Sequence, residues 1–536
     1  MKVSVRLLAA SCWTICLKLR AIAGIGMGLG VTDLWSLPLV FIIAQGQKVL
    51  RHDVHRQLFN GTYCIHDVIR MTSHVISGSI SSPQASKGVK ATLATTHYTA
   101  KSICAPHVGV EPISDGFDEG GYAQAKNEDL YLKSFEDNGS RTLSELIKRY
   151  KNSSFPVNCV VYDSFLPWAL DVAKEYGLYG AAFFTNSATV CNIFCRMHHG
   201  LLTLPVKLED TPLSIPGLPS LNFIDLPTFV KFPESYPAYL AMKLGQYSNL
   251  DKADWIFGNT FQELEGEGAR SISELWPGKL IGPMVPSAYL DGRIKGDSGY
   301  GSSLWQPLSE ECSEWLETKP QQSVVYISFG SMVSLTAEQM EEIALALKDS
   351  SLDFLWVVRE SQQEKLPNWF MDSTKQKGLV VSWCNQLEVL EHPAVGCFVT
   401  HCGWNSTLEG LSLGVPMIGV PQWADQLTDA KYIEEVWGIG VRAKEDEKGI
   451  VRKEEILKCF KEVMEGERSQ VIKKNASEWK KKSEKAMREG GSSDQNICDF
   501  VNALMCSSNG KLKHSNDNCV QAWMPVAKRC LRQTPR

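Results

Sequence analysis

The sequence predicts an α/β protein built from two doubly wound domains. Three observations carry this. A chain of 536 residues, 44% of them hydrophobic, is too long for one ordinary core. Short β-rich runs alternate with helical segments from about Lys87 onward. A Gly- and Pro-containing segment, Ile281 to Pro307, separates two such alternating stretches and reads as a linker.

In the first stretch, Gly88 to Thr96 is a buried strand candidate, and Val157 to Phe165 is another that ends in polar residues. Trp168 to Leu178 is a short amphipathic helix, and Tyr179 to Thr185 is the next strand. Strand, helix and strand at this spacing imply parallel pairing. In the second stretch, Ser323 to Gly330 is a strand and Thr336 to Ser350 a helix. "DFLWVVR", "GLVVSW", "VGCFVT" and "VPMIGVP" are four further β-rich runs, most of them separated by helical segments. No tandem repeat of the solenoid kind is present.

A net charge of −5 gives no reason to expect nucleic acid. The basic stretch Lys480 to Lys485 has acidic neighbours and reads as a solvated helix face. Sixteen cysteines lack framework spacing, which fits buried thiols in a reducing compartment. Cys191, Cys195, His198 and His199 lie close together, but their segment is aromatic and apolar and lacks a second ligand pair. No metal site is expected there.

Residues 1–86 follow no such pattern. Lys2 and Arg6 flank "LLAASCWTICL", which resembles a weak signal peptide. The Gly-rich apolar run Ala21 to Gln45, interrupted by Asp33, is long enough for a membrane reading. Against secretion, Asn405-Ser406-Thr407 is a glycosylation sequon inside the stretch richest in candidate site residues. The expectation is a cytoplasmic monomer, with the membrane or signal reading of the N-terminal segment left open.

Ligands of doubly wound sheets sit beyond the carboxyl ends of the strands. Three of those ends carry unusual chemistry here. Phe329-Gly330-Ser331 is a glycine turn with a hydroxyl. Trp383-Cys384-Asn385-Gln386 places an indole where a strand gives way to a helix. "CFVTHCGWNSTLEG", Cys397 to Gly410, joins a strand to a helix through His401 and Gly403. Asn405 and Ser406 then fall at a helix start, where free N–H groups and the dipole attract an anion such as phosphate. Glu409, one turn deeper, suits a ribose diol better. An Asn or Ser at a helix start is most often an N-cap, and an isolated Trp404 would be core. The convergence of several such strand ends is what capping does not explain.

Trp383 through Gln426, "WCNQLEVLEHPAVGCFVTHCGWNSTLEGLSLGVPMIGVPQWADQ", resembles the 44-residue signature box of plant secondary-product UDP-glycosyltransferases over its whole length. The resemblance extends from about Lys87 to about Leu504. "KGVKATLATTHYT" and "PISDGFDEGG" are similar to the branch that glucosylates small carboxylic acids and phenols. It implies a GT-B architecture, in which two Rossmann-like domains face each other across a donor cleft. The expected organisation is an atypical segment 1–86, an acceptor-binding domain 87–280, a linker 281–307 and a UDP-sugar domain 308–475. C-terminal helices 476–505 would pack back on the first domain, and 506–536 would be an irregular tail.

The resemblance also implies roles. Trp383 would stack on uracil, with the backbone of Cys384 reading the base edge. Gln386 and Glu409 would face the ribose. Ser331, His401, Asn405 and Ser406 would hold the diphosphate at the Gly403 turn. Trp404, Asp425 and Gln426 would contact sugar hydroxyls, and Thr185 would touch the donor sugar. The closing Gln goes with glucose. The implied reaction is inverting transfer from UDP-glucose, a co-substrate, to a small-molecule acceptor, with no cofactor. No Asp-x-Asp motif is present, so no metal is expected, and the helix start with His401 takes the leaving charge. A nicotinamide dehydrogenase is disfavoured because no Gly-x-Gly-x-x-Gly follows any strand.

The family pattern opens with a strand, a Gly-His turn and a helix, in which the His is the base and an Asp orients it. Asp163 matches that Asp; read alone it is equally a strand-end turn residue. The His has no match. "AQGQKVLRH", Ala44 to His52, echoes the turn with Gln47 in its place, and His52, His55, His66 and His74 lack the strand–Gly–helix context. Either residues 1–86 are an incorrect or alternative exon, or the chain lacks the first strand of its acceptor domain. The second reading makes it a UDP-sugar-binding protein with impaired turnover. A carboxylic acid acceptor, already ionised at pH 7, softens the loss of a base.

Overall fold

The computed structural model describes residues 40–45, 89–101, 103, 109–293 and 308–508. Two sheets organise it. Among the described residues the first sheet has seven strands in the order β3-β2-β1-β4-β5-β6-β7. These are β1 (Val40–Gln45), β2 (Val89–Thr96), β3 (Gly109–Ile113), β4 (Val157–Asp163), β5 (Tyr179–Phe184), β6 (Trp255–Gly258) and β7 (Lys279–Leu280). The second sheet has six, in the order β10-β9-β8-β11-β12-β13. They are β8 (Val324–Ser328), β9 (Asp353–Val357), β10 (Gly378–Val381), β11 (Val395–Thr400), β12 (Met417–Gly419) and β13 (Gly440–Arg442). Every pairing within the second sheet is parallel. Most central strands are buried on both faces, which is why they read as unbroken apolar runs.

Helices that bear on the site are α1 (Pro167–Glu175), α2 (Ala188–His198), α3 (Pro237–Gly245), α4 (Gln386–Glu391), α5 (Trp404–Leu413), α6 (Gln426–Lys431), α7 (Gly466–Met487) and α8 (Ser492–Ser508). α7 runs through the boundary expected at 475, and α8 extends past the expected end at 505. α8 lies on the first sheet, where Phe500 meets Trp255 and Phe257 edge-on at ring separations of 4.9 and 5.0 Å. Met487, Ile497, Val501 and Leu504 share that core with Leu93, Val161 and Phe183. The chain therefore returns from the second unit to close one face of the first. No helix among the described residues is long and apolar enough to cross a membrane.

The first sheet corrects one expectation. The slot between β2 and β4 is not empty, because Val40–Gln45 fills it. It fills it in reverse. β1 pairs antiparallel with both neighbours, whereas the sheet's other strand pairs are parallel. Val40 lies opposite Ala94 and Tyr162, near the carboxyl ends of β2 and β4, and Gln45 lies opposite Val89 at the amino end of β2. The chain leaves β1 at the edge away from Asp163. Ala44 and Gln45 of the Ala-Gln-Gly echo therefore lie at the edge away from Asp163; Gly46 and Gln47, with His52, His55, His66 and His74, lie outside the described residues.

Ile42 pairs with Thr92 on one side and Val160 on the other. Ile42→Pro removes a ladder donor from a central strand and should lower stability by roughly 3 kcal/mol or more. Urea denaturation checks this; an unchanged midpoint would remove β1 from the sheet.

Candidate functional site

Each parallel strand of the second sheet ends at the same edge, and the side chains singled out from the sequence gather there. β11 ends at Thr400. His401 follows, then Cys402 with a left-handed φ of 63°, then Gly403, the N-cap of α5. Gly403 has no side chain to cap the helix, so the first N–H groups of α5 are not satisfied from that position. Asn405 and Ser406 lie inside the first turn rather than at the cap, so the capping explanation does not apply to them. The Asn405 side-chain oxygen is buried without a hydrogen-bond partner.

His401 is enclosed by two glycines. A Cβ at Gly330 would stand 2.7 Å from its Cε1, and one at Gly403 would stand 2.6 Å from its Nε2. No larger residue leaves room for the imidazole. Gly330 also has a φ of 68°, so this turn after β8 favours glycine twice over. The imidazole is buried, and its Nδ1 has no partner. Burial, with the Arg359 guanidinium nearby, lowers its pKa to about 4. His401 is therefore neutral near pH 7. In that state the ring can donate or accept a hydrogen bond but carries no charge.

The fixed positive charge of this corner is Arg359, which the sequence reading missed. It is buried just beyond β9 and donates to the carbonyls of Ser331 and Val333, which holds the Ser331 loop in place. Its signal was present: "DFLWVVR" ends on an arginine at the same sheet edge as the other candidates.

The expected ribose pair is joined directly. Gln386, first residue of α4, donates from Nε2 to Glu409 Oε2 at 2.7 Å and to Ser406 Oγ at 3.0 Å. Tyr326 OH of β8 donates to Gln386 Oε1 at 3.2 Å and lies 3.4 Å from Cys384 Sγ. The Cys384 thiol thus points into the fold. Trp383 is largely buried, and its carbonyl accepts from the Leu308 N–H at 3.0 Å, where the second unit begins.

The indole of Trp404 is engaged elsewhere. Its side chain is buried against Trp437, and its indole N–H donates to the Asn259 carbonyl at 2.7 Å. The indole is a strut between the two units and has no N–H left for a sugar. Asp425 and Gln426 follow Ala424, another non-glycine residue in the left-handed region, with φ 57°. Gln426 Oε1 accepts from the N–H groups of Gln422 and Trp423 and closes that loop on itself.

Across the cleft, Asp163 ends β4 and is buried. Its Oδ1 accepts from the Phe165 N–H at 3.0 Å, the turn geometry that its bland reading called for. Thr185 follows β5 and is buried beside α2. Glu265, also missed, is fully buried and caps α2 by accepting from the N–H groups of Ala188 and Thr189 and from Thr189 Oγ1. Burial pushes its carboxyl above the usual range. His97, exposed at the carboxyl end of β2, is a further histidine at this edge that the sequence reading did not weigh. Cys191 and Cys195 are buried in α2, and no cluster of metal-ligating residues occurs among the described residues.

The units are fastened by polar contacts as well as by Trp404. Thr428 Oγ1 donates to the Asp225 carbonyl at 2.7 Å, and the Asp225 carboxylate takes Lys431 at 3.2 Å and Arg442 at 3.1 Å.

Two facing Rossmann-like sheets, with a bare helix start and a buried histidine at the edge of the second, define a GT-B glycosyltransferase. Residues 283–480 match the family model "UDP-glucoronosyl and UDP-glucosyl transferase". The chain is 51% identical to UDP-glycosyltransferase 74B1 of Arabidopsis thaliana over 428 residues, 78% of this chain and 92% of that protein. It is 46% identical to flavonol 7-O-beta-glucosyltransferase UGT74F1 of the same plant, over 78% of this chain and 93% of that one. The structure is similar to Os79 from O. sativa in complex with UDP, with a TM-score of 0.74 and 39% identity, covering 77% of this chain and 93% of that one. The chain belongs to the plant UDP-glycosyltransferase family. Its class of reaction is glycosyl transfer from a UDP-sugar, a co-substrate, to a small molecule.

The state of His401 has a measurable consequence. Unfolded, it takes up a proton near pH 6.5; folded, only near 4. Between those values the unfolded chain binds more protons, so this stability is present above pH 6.5 and is lost as pH falls. Between pH 7 and 4.5 the wild type should lose about 2 kcal/mol that His401→Asn does not lose. Denaturation midpoints at the two pH values check it; parallel curves would refute a buried neutral imidazole.

Proposed function

We propose that the chain transfers glucose from UDP-glucose to the oxygen of a small acceptor, with inversion and without a metal ion, and that carboxylic acids are its best acceptors. The observation that carries the donor half is the helix start at Gly403, which has no side-chain cap, beside His401. There the α5 N–H groups, Asn405 and the imidazole, with Ser331 on the loop that Arg359 holds, would meet a diphosphate. The Gln386–Glu409 pair supplies hydroxyl acceptors beside it for the ribose. Trp383 would stack on uracil, with the Cys384 backbone at its edge. Asp425, Gln426 and Thr185 would meet the sugar, with only the main chain of Trp404 contributing. The helix start and the Arg359-braced loop are groups that can meet the charge of departing UDP, so no cation is needed in this reading. UGT74F1 is named for a flavonol hydroxyl, which supports an oxygen acceptor.

The reversed β1 supports the preference for acids. The turn that carries the base in the family pattern follows its first strand, and here the chain leaves β1 at the opposite edge. A phenol must lose a proton with a pKa near 10, whereas a carboxylate has lost its own by pH 7. General-base help contributes typically 10²–10⁴-fold, so phenols should react at least about 100-fold more slowly than carboxylates of similar shape. UDP release measured with a matched panel of aromatic acids and phenols, with and without a chelator, tests both statements. Equal rates would sink the acid preference, and loss of activity with chelator would sink the metal-free reading.

The same observation favours a second reading, a UDP-sugar-binding protein with impaired turnover. Tight binding of UDP-glucose with no UDP release on any acceptor would establish it in place of the first.

A further inference from the structure

Asn186, just after β5, spans from one unit to the other. Its Nδ2 donates to Asp425 Oδ2 at 2.9 Å, and its Oδ1 accepts from Lys243 Nζ at 2.8 Å. Lys243 comes from α3 and is 7% exposed, with its ammonium 4.7 Å from the centre of the Phe165 ring. An ammonium has only donors and a carboxylate only acceptors, so the amide orientation is set by its neighbours. A cation and an anion on either side polarise it in the same sense, which strengthens both bonds. Next to it, Ser187 Oγ donates to Asp429 Oδ1 at 3.1 Å, one turn along α6 from Asp425. The start of α2 is thereby fastened to two successive carboxylates of α6.

The arrangement leaves Asp425 with a free function. Its Oδ2 is held by Asn186, and its Oδ1 takes no hydrogen bond among the described residues. A direct Lys–Asp ion pair could occupy both oxygens. An interposed amide holds one carboxylate oxygen in place and leaves the other for a ligand hydroxyl.

We propose that Asn186 and Lys243 are positioning residues which orient Asp425 towards the hydroxyls of the donor sugar. Recognition of the sugar by the second unit then depends on two side chains of the first, and the relay exists only while the units are closed together. Recognition of UDP, built from the second unit's own strand ends, does not depend on it. This rests on the reading of Asp425 as a sugar contact, which the experiment checks separately.

The test is equilibrium binding of UDP and of UDP-glucose to the full chain, by calorimetry, for Asn186→Ala, Lys243→Met, Lys243→Arg, Asp425→Ala and the Asn186→Ala/Asp425→Ala double variant. Asn186→Ala and Lys243→Met should weaken UDP-glucose about tenfold and leave UDP within about twofold. Lys243→Arg should recover part of the loss, and the double variant should bind no worse than Asp425→Ala alone. Equal weakening of UDP and UDP-glucose, or full additivity in the double variant, would overturn the relay. If Asp425→Ala binds UDP-glucose normally, the sugar role of Asp425 fails first and the relay falls with it. Thermal melting confirms that each variant folds; should Lys243→Met not fold, Asn186→Asp, isosteric but repelling Asp425, carries the same expectation.

Discussion

Parallel pairing places every strand-to-helix turn of a sheet at one edge, and the candidate site is a consequence of that constraint. In the second sheet the turns after β8, β9, β10, β11 and β12 bring Ser331, Arg359, Trp383, His401 and Asp425 to a common rim, although they lie far apart in the chain. What makes the rim a site is its economy of side chains at the centre. Gly330 and Gly403 give the imidazole its space, and the same Gly403 leaves the start of α5 uncapped. A residue with a Cβ at either place would crowd the imidazole, and at Gly330 it would also strain the turn. Burial then decides the electrical state of the centre, with a neutral histidine and the positive charge carried by Arg359 under the Ser331 loop.

The first sheet shows the same constraint with one exception. β1 fills the central slot and satisfies the ladders of β2 and β4, which would otherwise expose two inner edges. Running in reverse, it ends at Gln45 opposite Val89, at the edge away from Asp163 and Thr185. The sheet is completed by a strand that contributes ladder hydrogen bonds in the reverse sense. The unit is then closed by α8, whose Phe500 packs on β6. The first unit thus keeps its layered architecture while departing from the expected pattern in the direction of one strand.

The two units are coupled through few but well-buried contacts. Trp404 reaches Asn259, the Asp225 carboxylate gathers Lys431 and Arg442, and Asn186 joins Lys243 to Asp425. All of these cross more than a hundred residues of sequence, apart from the short step from Asn186 to Lys243. Apart from Trp404, they involve residue types that, read singly, look like ordinary turn or surface positions. Glu265 is similar: its sequence context is a polar helix, and only the fold shows it capping α2.

The amino-acid sequence alone determined the fold class, the principal strands of the second unit and which residues stand at its strand ends. Those signals are local: apolar runs of strand length, glycines at turns, and polar residues within one helical turn of a strand end. Tertiary structure decided what local pattern cannot encode. A run such as Val40–Gln45 pairs equally well in either direction, because the two-residue alternation of a strand is the same read forwards or backwards, so only the assembled sheet sets its sense. The indole of Trp404 was legible as a residue of the site but not as a strut, since its partner lies 145 positions away. The Asn186 amide acquires its place only when a lysine from α3 and a carboxylate from α6 meet at its two ends, a juxtaposition made by packing two units together.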